Sequence, residues 1–324
     1  MALLGSMTSG VSGMQTFITG MEVIGNNIAN VATTGFKAGR LHYSDNFVNT
    51  LRDASSGGEN GGGQPSIQVG SGVKTGGISN SFGQGALTPT GGGTDLGIAG
   101  GGFFRVRDAN SNAEFVTRAG DFRFDEQGYL VTQQGLRVQG LTGGEISFVA
   151  TEDADGRITF TESGRNAPST VGDIRIDHLL SSSIQNNTSL SDADVRAQAP
   201  ALNGFGIDRF GNVNLHLTSG ETYSAGRVLL QDFRDPSALK KEGHNLYGGL
   251  DLAGPNGGLA LNGALHSPGQ NGLGRIEAGT LEMSNVDLTD EFASMITTQR
   301  AFQASSRVVS VSDDILQEIV NLKR

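Results

Sequence analysis

Glycine is distributed along this chain in a way that few folds permit. Residues 281–324 contain none, although the whole chain carries 50 in 324 residues. Residues 1–36 contain no lysine or arginine, and Glu22 is their one charge. A long segment with helical apolar spacing and no glycine favours a helix, whereas dense glycine between alternating apolar residues favours short strands and tight turns. The chain therefore reads as α+β, mainly β in its middle, with a helix at each end. Two matched helical ends on a strand-rich body point to a subunit held to copies of itself by its termini.

At the N-terminus Leu4, Met7, Val11, Met14, Ile18, Met21, Gly25 and Ile28 follow alternating steps of three and four. That is a heptad seam of the kind that pairs helices in a coiled coil. Glycines at positions 5, 10, 13, 20 and 25 each weaken the isolated helix by ~1 kcal/mol relative to alanine, so it is expected to form when packed. At the C-terminus Asp287 is placed to cap a helix, with Asp290 and Glu291 in its first turn and Lys323 and Arg324 in its last. These charges complement the helix dipole. A single helix over residues 288–322 spans about 52 Å at 1.5 Å per residue. Its apolar stripe runs through Leu288, Phe292, Met295, Ile296, Phe302, Val308, Val311, Ile315, Ile319 and Leu322. The N-terminal seam is its expected partner.

Composition narrows the function classes. A net charge of −10 with no clustered Lys/Arg leaves no footprint for nucleic acid or an anionic membrane. The absence of cysteine removes disulfides, zinc-thiolate sites and cysteine nucleophiles together. No stretch approaches the ~20 apolar residues of a membrane span. The N-terminus lacks the basic n-region and continuous apolar core of a secretory signal, so the chain is expected either to stay in the cytosol or to leave the cell by a route that cleaves no signal peptide. Catalytic signatures are thin. His42, His178, His216, His244 and His266 stand far apart without metal-ligand spacing. Gly97 to Gly102 is not followed by the lysine of a phosphate-binding loop. No catalytic, cofactor or metal residue is assigned. The rival classes are a β-rich hydrolase and an adhesin-like binding module, neither of which accounts for the paired ends.

The middle alternates in strand fashion. Ile174 and Ile176 alternate with Asp173, Arg175 and Asp177; Val213, Leu215 and Leu217 alternate with Asn214 and His216. Asp125-Glu126-Gln127-Gly128 and Asp208-Arg209-Phe210-Gly211 read as hairpin turns with glycine at the position needing positive φ. Asp153, Asp155 and Gly156 form a shorter relative, and a fragment of a calcium loop is the other reading. The expected organisation is a helical layer from residues 1–34 and 281–324, an extended Gly-rich connector over 35–69, and a β-rich domain from 70–145 and 200–280. Residues 146–199 form a small insertion.

Two motifs at opposite ends then become specific. GNNIANVATTGFK, Gly25 to Lys37, resembles the N-terminal motif of the bacterial flagellar rod and hook proteins. LEMSNVDLTDEFASMITTQRAFQASSRVV, Leu281 to Val309, resembles the C-terminal motif of the same family. Gly70 to Val106 and Phe115 to Val131 are similar to that family's first β domain. The likeness thins between about residues 145 and 200 and returns with ALNGFGIDRFGNV and GRVLLQDF. Hook members match best, on Phe103-Phe104-Arg105-Val106, the SNVDL at 284–288, Val320-Asn321-Leu322 and the chain length. Distal rod members are the alternative, because the segment that holds the hook's outer domain is short here.

The resemblance implies a hollow helical homopolymer, its terminal helices paired around a channel, with the β domain outside and the outer domain reduced or absent. A hook of this kind is extracellular, curved, and passes torque from rod to filament. The partners implied are further copies, the distal rod protein, the hook cap and hook–filament junction proteins, and the flagellar export apparatus. Assembly residues expected are Leu4, Met7, Val11, Met14, Ile18, Met21 and Ile28, with Phe292, Met295, Phe302, Ile315 and Ile319 opposite. Asn26, Asn27 and Asn30 are expected to bond exposed backbone where the first helix ends, within or between subunits. Gly35 permits the turn into Phe36, and Ser284 and Asn285 shape entry into the last helix. Gln299 and Arg300 either fix the register between helices or face solvent. Glycines at 57–63 and 91–93 are expected to keep the outer contacts pliable.

Overall fold

The computed structural model describes residues 2–54, 62–152, 158–176, 184–188 and 200–322. Asp153, Asp155, Gly156, His178, Lys323, Arg324 and most of 57–63 fall outside that set. The chain divides into two compact units. One comprises residues 1–32, 37–82 and 286–324, and the other comprises 33–36 and 83–285.

The first unit holds helix α1 (Ala2–Ala29), helix α2 (Leu288–Leu322) and four strands: β1 (Gly39–Asp45), β2 (Val48–Arg52), β3 (Ile67–Gly70) and β4 (Val73–Asn80). Asp287 caps α2, its Oδ1 accepting from the Thr289 N–H at 2.8 Å. The glycines of α1 do not break it because tertiary packing supports it. Ser12 Oγ accepts from the Val73 N–H at 3.3 Å, and Phe17 stacks on Tyr43 with ring centroids 6.0 Å apart. Strands β1 and β4 pair antiparallel, as do β2 and β3. The 35–69 segment expected as an extended connector therefore carries three strands of this unit. Alternation in LHYSD and in Ile67-Gln68-Val69 is the signal that supports β1 and β3, and the glycine density between them had masked it.

The second unit is built on an antiparallel path of eight strands. In order these are Leu202–Ile207, Asn212–Leu217, Thr222–Val228, Arg137–Thr142, Phe103–Arg107, Glu114–Thr117, Leu246–Gly248 and Lys240–Gly243. Its core gathers Leu96, Ile98, Phe104, Val106, Leu130, Val138, Ile174, Val213, Leu215, Val228 and Ile276. Val213, Leu215 and Leu217 point inward while His216 faces out. The two aspartate turns share one geometry. Asp125 Oδ1 accepts from the N–H groups of Gln127 and Tyr129, and Asp208 Oδ1 from those of Phe210 and Asn212. Gly128 and Gly211 take φ of 85° and 77°.

Strands Glu145–Glu152 and Ile158–Asn166 pair antiparallel, and Ile184–Asn187 joins the first in parallel. Ile146 and Phe148 belong to the main core cluster. The insertion is thereby welded to the β unit rather than carrying a core of its own.

Candidate assembly interface

The antiparallel meeting of α1 and α2 follows one repeat. Ser6 Oγ lies 3.2 Å from Ser312 Oγ. Seven residues up α1 and seven down α2, a Cβ on Gly13 would stand 3.0 Å from Ser305 Oγ. The next step brings Gly20 to Thr298, where a Cβ would lie 3.6 Å from Cγ2. The last brings Asn27 Nδ2 to Glu291 Oε1 at 2.9 Å. Small residues let two backbones approach closely, which explains why α1 holds glycines that lower its own propensity.

This seam is not the apolar one expected from the heptad pattern. The buried residues of α1 are Gly10, Gly13, Thr16, Gly20 and Asn27. Val11 and Ile18 are 40% and 43% exposed, and Met7, Met14, Met21 and Ile28 are half-buried. The side chain of Leu4 lies outside the described set. On α2, Met295 and Phe302 are half-buried, whereas Phe292, Ile315 and Ile319 are exposed. Periodicity found the apolar face of each helix but not which face the partner helix takes. The missed signal is a second heptad of small residues, Ser6, Gly13, Gly20 and Asn27, running beside the apolar one.

One set of uncovered apolar residues gathers on one side of the helix pair. Ser12 and Thr16 of α1 meet Val73. At 100° per residue Val11, Met14, Ile18 and Met21 fall on the opposite side. Gly10 on that border lies against Val308, whose Cγ1 would be 3.7 Å from a Cβ there. Val308, Val311, Ile315 and Ile319 continue the face along α2 and are 41% to 56% exposed. Leu288, Phe292 and Ile296 lie on a different flank of α2.

Gln299 and Arg300 were expected either to fix the register or to face solvent, and both are exposed. Among the described residues two polar residues are buried in the seam, Ser312 and Asn27, and Asn27 is the one whose side chain reaches beyond the helix pair. Its Nδ2 donates to the Gly39 carbonyl at 2.8 Å and its Oδ1 accepts from the Gly39 N–H at 2.9 Å. Asn30 Nδ2 donates to the Asn26 carbonyl at 2.9 Å and to Asn26 Oδ1 at 3.0 Å, closing the helix end locally.

Gly35 and Phe36 belong to the second unit. The Gly35 N–H donates to the Glu282 carbonyl at 2.7 Å, and its φ is 68°. A Cβ there would come within 2.5 Å of the Ala119 nitrogen, so only glycine fits. Phe36 is buried under Lys241, whose Nζ is 4.7 Å from the ring centroid. Asn285 Nδ2 donates to the Gly83 carbonyl at 3.1 Å, and Ser284 is half-buried beside it.

Sequence reading missed the ion pair beneath this region. Arg118 Nη1 lies 3.2 Å from Glu282 Oε2, with both side chains at 4% exposure or less. Burial pushes the Arg118 guanidinium down from its ordinary value and the Glu282 charge opposes it. Glu282 Oε1 also accepts from the Gly85 N–H at 2.9 Å. No sequence pattern links positions 118 and 282; only the fold brings them together.

Among the described residues no group of three or more His, Asp or Glu is placed to hold a metal ion. No helix of the described residues is long and apolar enough to cross a membrane.

Comparison with known proteins matches the same segments. Residues 7–37 match the flagella basal body rod protein family, 97–184 the flagellar hook protein FlgE/F/G D1 domain, and 277–322 the flagellar basal body rod FlgEFG protein C-terminal family. The flagellar basal-body rod protein FlgG of Bacillus subtilis is 36% identical over 322 residues, covering 99% of this chain and 100% of that protein. This chain belongs to the flagellar rod and hook protein family. The flagellar hook protein FlgE of Borreliella burgdorferi is 27% identical over 443 aligned residues, covering 99% of this chain and 100% of that protein. Rod and hook members of this family are structural axial components, not enzymes. The Helicobacter pylori hook protein FlgE2 structure aligns with 60% of this chain and 100% of its own at 10% identity and a TM-score of 0.35, too distant to bear on the fold.

Proposed function

We propose that this chain is a self-polymerising subunit of the flagellar axial tube, with α1 and α2 paired as a coiled coil whose outer apolar face is covered by neighbouring copies. One observation carries this reading. Among the described residues every fully buried hydrophobic side chain lies in the second unit, and the helical unit contributes none. A unit of 28- and 35-residue helices without a sealed core gains its stability from association. Covering the rest of Val11, Ile18, Val308, Val311, Ile315 and Ile319 adds roughly 1 kcal/mol each. On this reading copies meet head to tail, a contact that does not close on itself and so generates a helical tube. Seven-residue spacing of the α1–α2 rungs supports the coiled-coil geometry.

The rod is the position we assign within the axis. The rod relative aligns along its whole length with this chain over 322 residues, whereas the Borreliella hook relative needs 443. The length that pointed toward hook members is therefore ordinary for a rod protein. The hook is the second reading, kept because FlgE proteins align over 98–99% of this chain. Passage through the flagellar export apparatus and end-on contact with adjoining axial proteins follow for either.

Two measurements test this. Concentrated full-length protein should sediment as polymer and show tubes by electron microscopy, and a compact monomer with both helices protected from hydrogen exchange overturns the assembly reading. Labelling in isolated flagella should place the chain below the outer rings; label above them makes it a hook subunit.

A further inference from the structure

We propose that Asn27, acting through Glu291, is the residue that selects the register of α1 against α2. The other rungs of the seam do not choose one. Ser6 on Ser312, Gly13 on Ser305 and Gly20 on Thr298 are all small residues facing small residues. Sliding α2 by seven residues one way would set Gly13 on Ser312 and Gly20 on Ser305, again small on small, with Ser6 alone meeting a large residue, Ile319; the other way Gly13 meets Thr298 and Gly20, which has no side chain, meets Glu291. The neighbouring column of α2 also repeats every seven, through Met295, Phe302, Val309 and Leu316. A repeat this uniform tolerates slippage, as coiled coils with degenerate cores do.

The Asn27 rung breaks the degeneracy. Asn27 is 1% exposed and both ends of its amide are engaged. Oδ1 and Nδ2 bind the Gly39 backbone at 2.9 and 2.8 Å, which orients the remaining Nδ2 hydrogen toward Glu291 Oε1 at 2.9 Å. After a slip of one heptad in one direction the amide faces Thr298, whose side chain is shorter; in the other it faces Ser284, which precedes the helix. Either slip strands a buried donor, which disfavours the slipped register at least tenfold. The helix α1 is itself tied to the strands by Ser12, Thr16 and Asn27, so α2 is the element that moves. The consequence rests on the assembly reading: the register keeps Val11 level with the Arg307–Val308 step and Ile18 level with Arg300, giving every neighbour the same arrangement of apolar and charged groups.

The cysteine-free chain makes cross-linking a direct readout. Three double variants report the register: Ser6→Cys with Ser312→Cys for the native one, and Ser6→Cys with Ser305→Cys or Ile319→Cys for a one-heptad slip each way. Oxidation is read on pelleted polymer and on soluble chain, and an intrachain link runs as monomer. With Asn27 present the native pair should form at least tenfold faster than either slipped pair. Adding Asn27→Leu or Glu291→Leu should reduce that ratio at least tenfold, while Glu291→Gln, which keeps the acceptor, should preserve it. An unchanged ratio in both leucine variants overturns the proposal. So does loss of all three links in both, because Asn27 then holds the fold rather than its register. Failure of the wild-type chain to polymerise would sink the assembly reading and leave the ratio readable on soluble chain.

Discussion

The two units solve the same problem, hiding apolar surface, by opposite means. The β unit closes on itself: Leu96, Ile98, Phe104, Val106, Leu130, Val138 and Val213 are fully buried. The helical unit spends its inward faces on glycine, serine and threonine and leaves its larger side chains outside. Phe47, Leu51 and Leu322 are 82%, 66% and 86% exposed, and every described residue of β2 and β3 is exposed. A sealed core makes a unit stable alone, and an uncovered one makes stability depend on neighbours. On the assembly reading, one chain carries a sealed body and a helical unit that its neighbours complete.

Breaking the contact between neighbours should have the largest effect. Ile18→Glu with Ile315→Glu is expected to abolish sedimentable polymer while the melting temperature of the β unit stays unchanged. A shift in that melting temperature would tie the two units together. Next is Glu282→Gln, which leaves Arg118 buried without its counter-charge and should cost the β unit about 3–5 kcal/mol in denaturant unfolding. A cost below 1 kcal/mol would mean that water reaches the pair.

A smaller loss, about 2 kcal/mol, is expected for Asp173→Asn. Burial works against this carboxylate, but hydrogen bonds from Gln139, Arg107 and Arg137 outweigh it and hold its pKa below the ordinary value. A depressed folded-state value means the stabilisation is present above the ordinary carboxylate range and lost as pH falls through the folded value. The β unit should thus lose stability below about pH 4, and the asparagine variant should lose less over that window. Equal acid slopes in melts of the two proteins would remove Asp173 as the cause. The smallest effect belongs to β3: Val69→Thr should change the stability of the unassembled chain by less than about 0.5 kcal/mol, and a larger change would show that the β2–β3 hairpin is already covered.

Much of the fold was legible. Glycine-free spacing marked α2 as Leu288–Leu322 with Asp287 as its cap, because apolar periodicity and capping are local. The two aspartate–glycine turns were legible for the same reason. β1 to β3 were not, since glycines around residue 60 suggested a linker although strand alternation was present on either side. Asn30 was readable as a helix-end residue; the larger role of Asn27 was not, because its partner sits 264 positions away.

The sequence by itself determined the kinds of element, the side of each helix that carries large apolar groups, and the membership in a rod and hook family. Those follow from short-range chemistry, in which each residue constrains its near neighbours. Only the tertiary structure decided that α1 and α2 meet through their small residues, that Asn27 reaches Glu291, and that Arg118 is neutralised by Glu282. Two faces of a helix can look equally suited to packing, and the choice between them is made by how closely the partner backbone approaches.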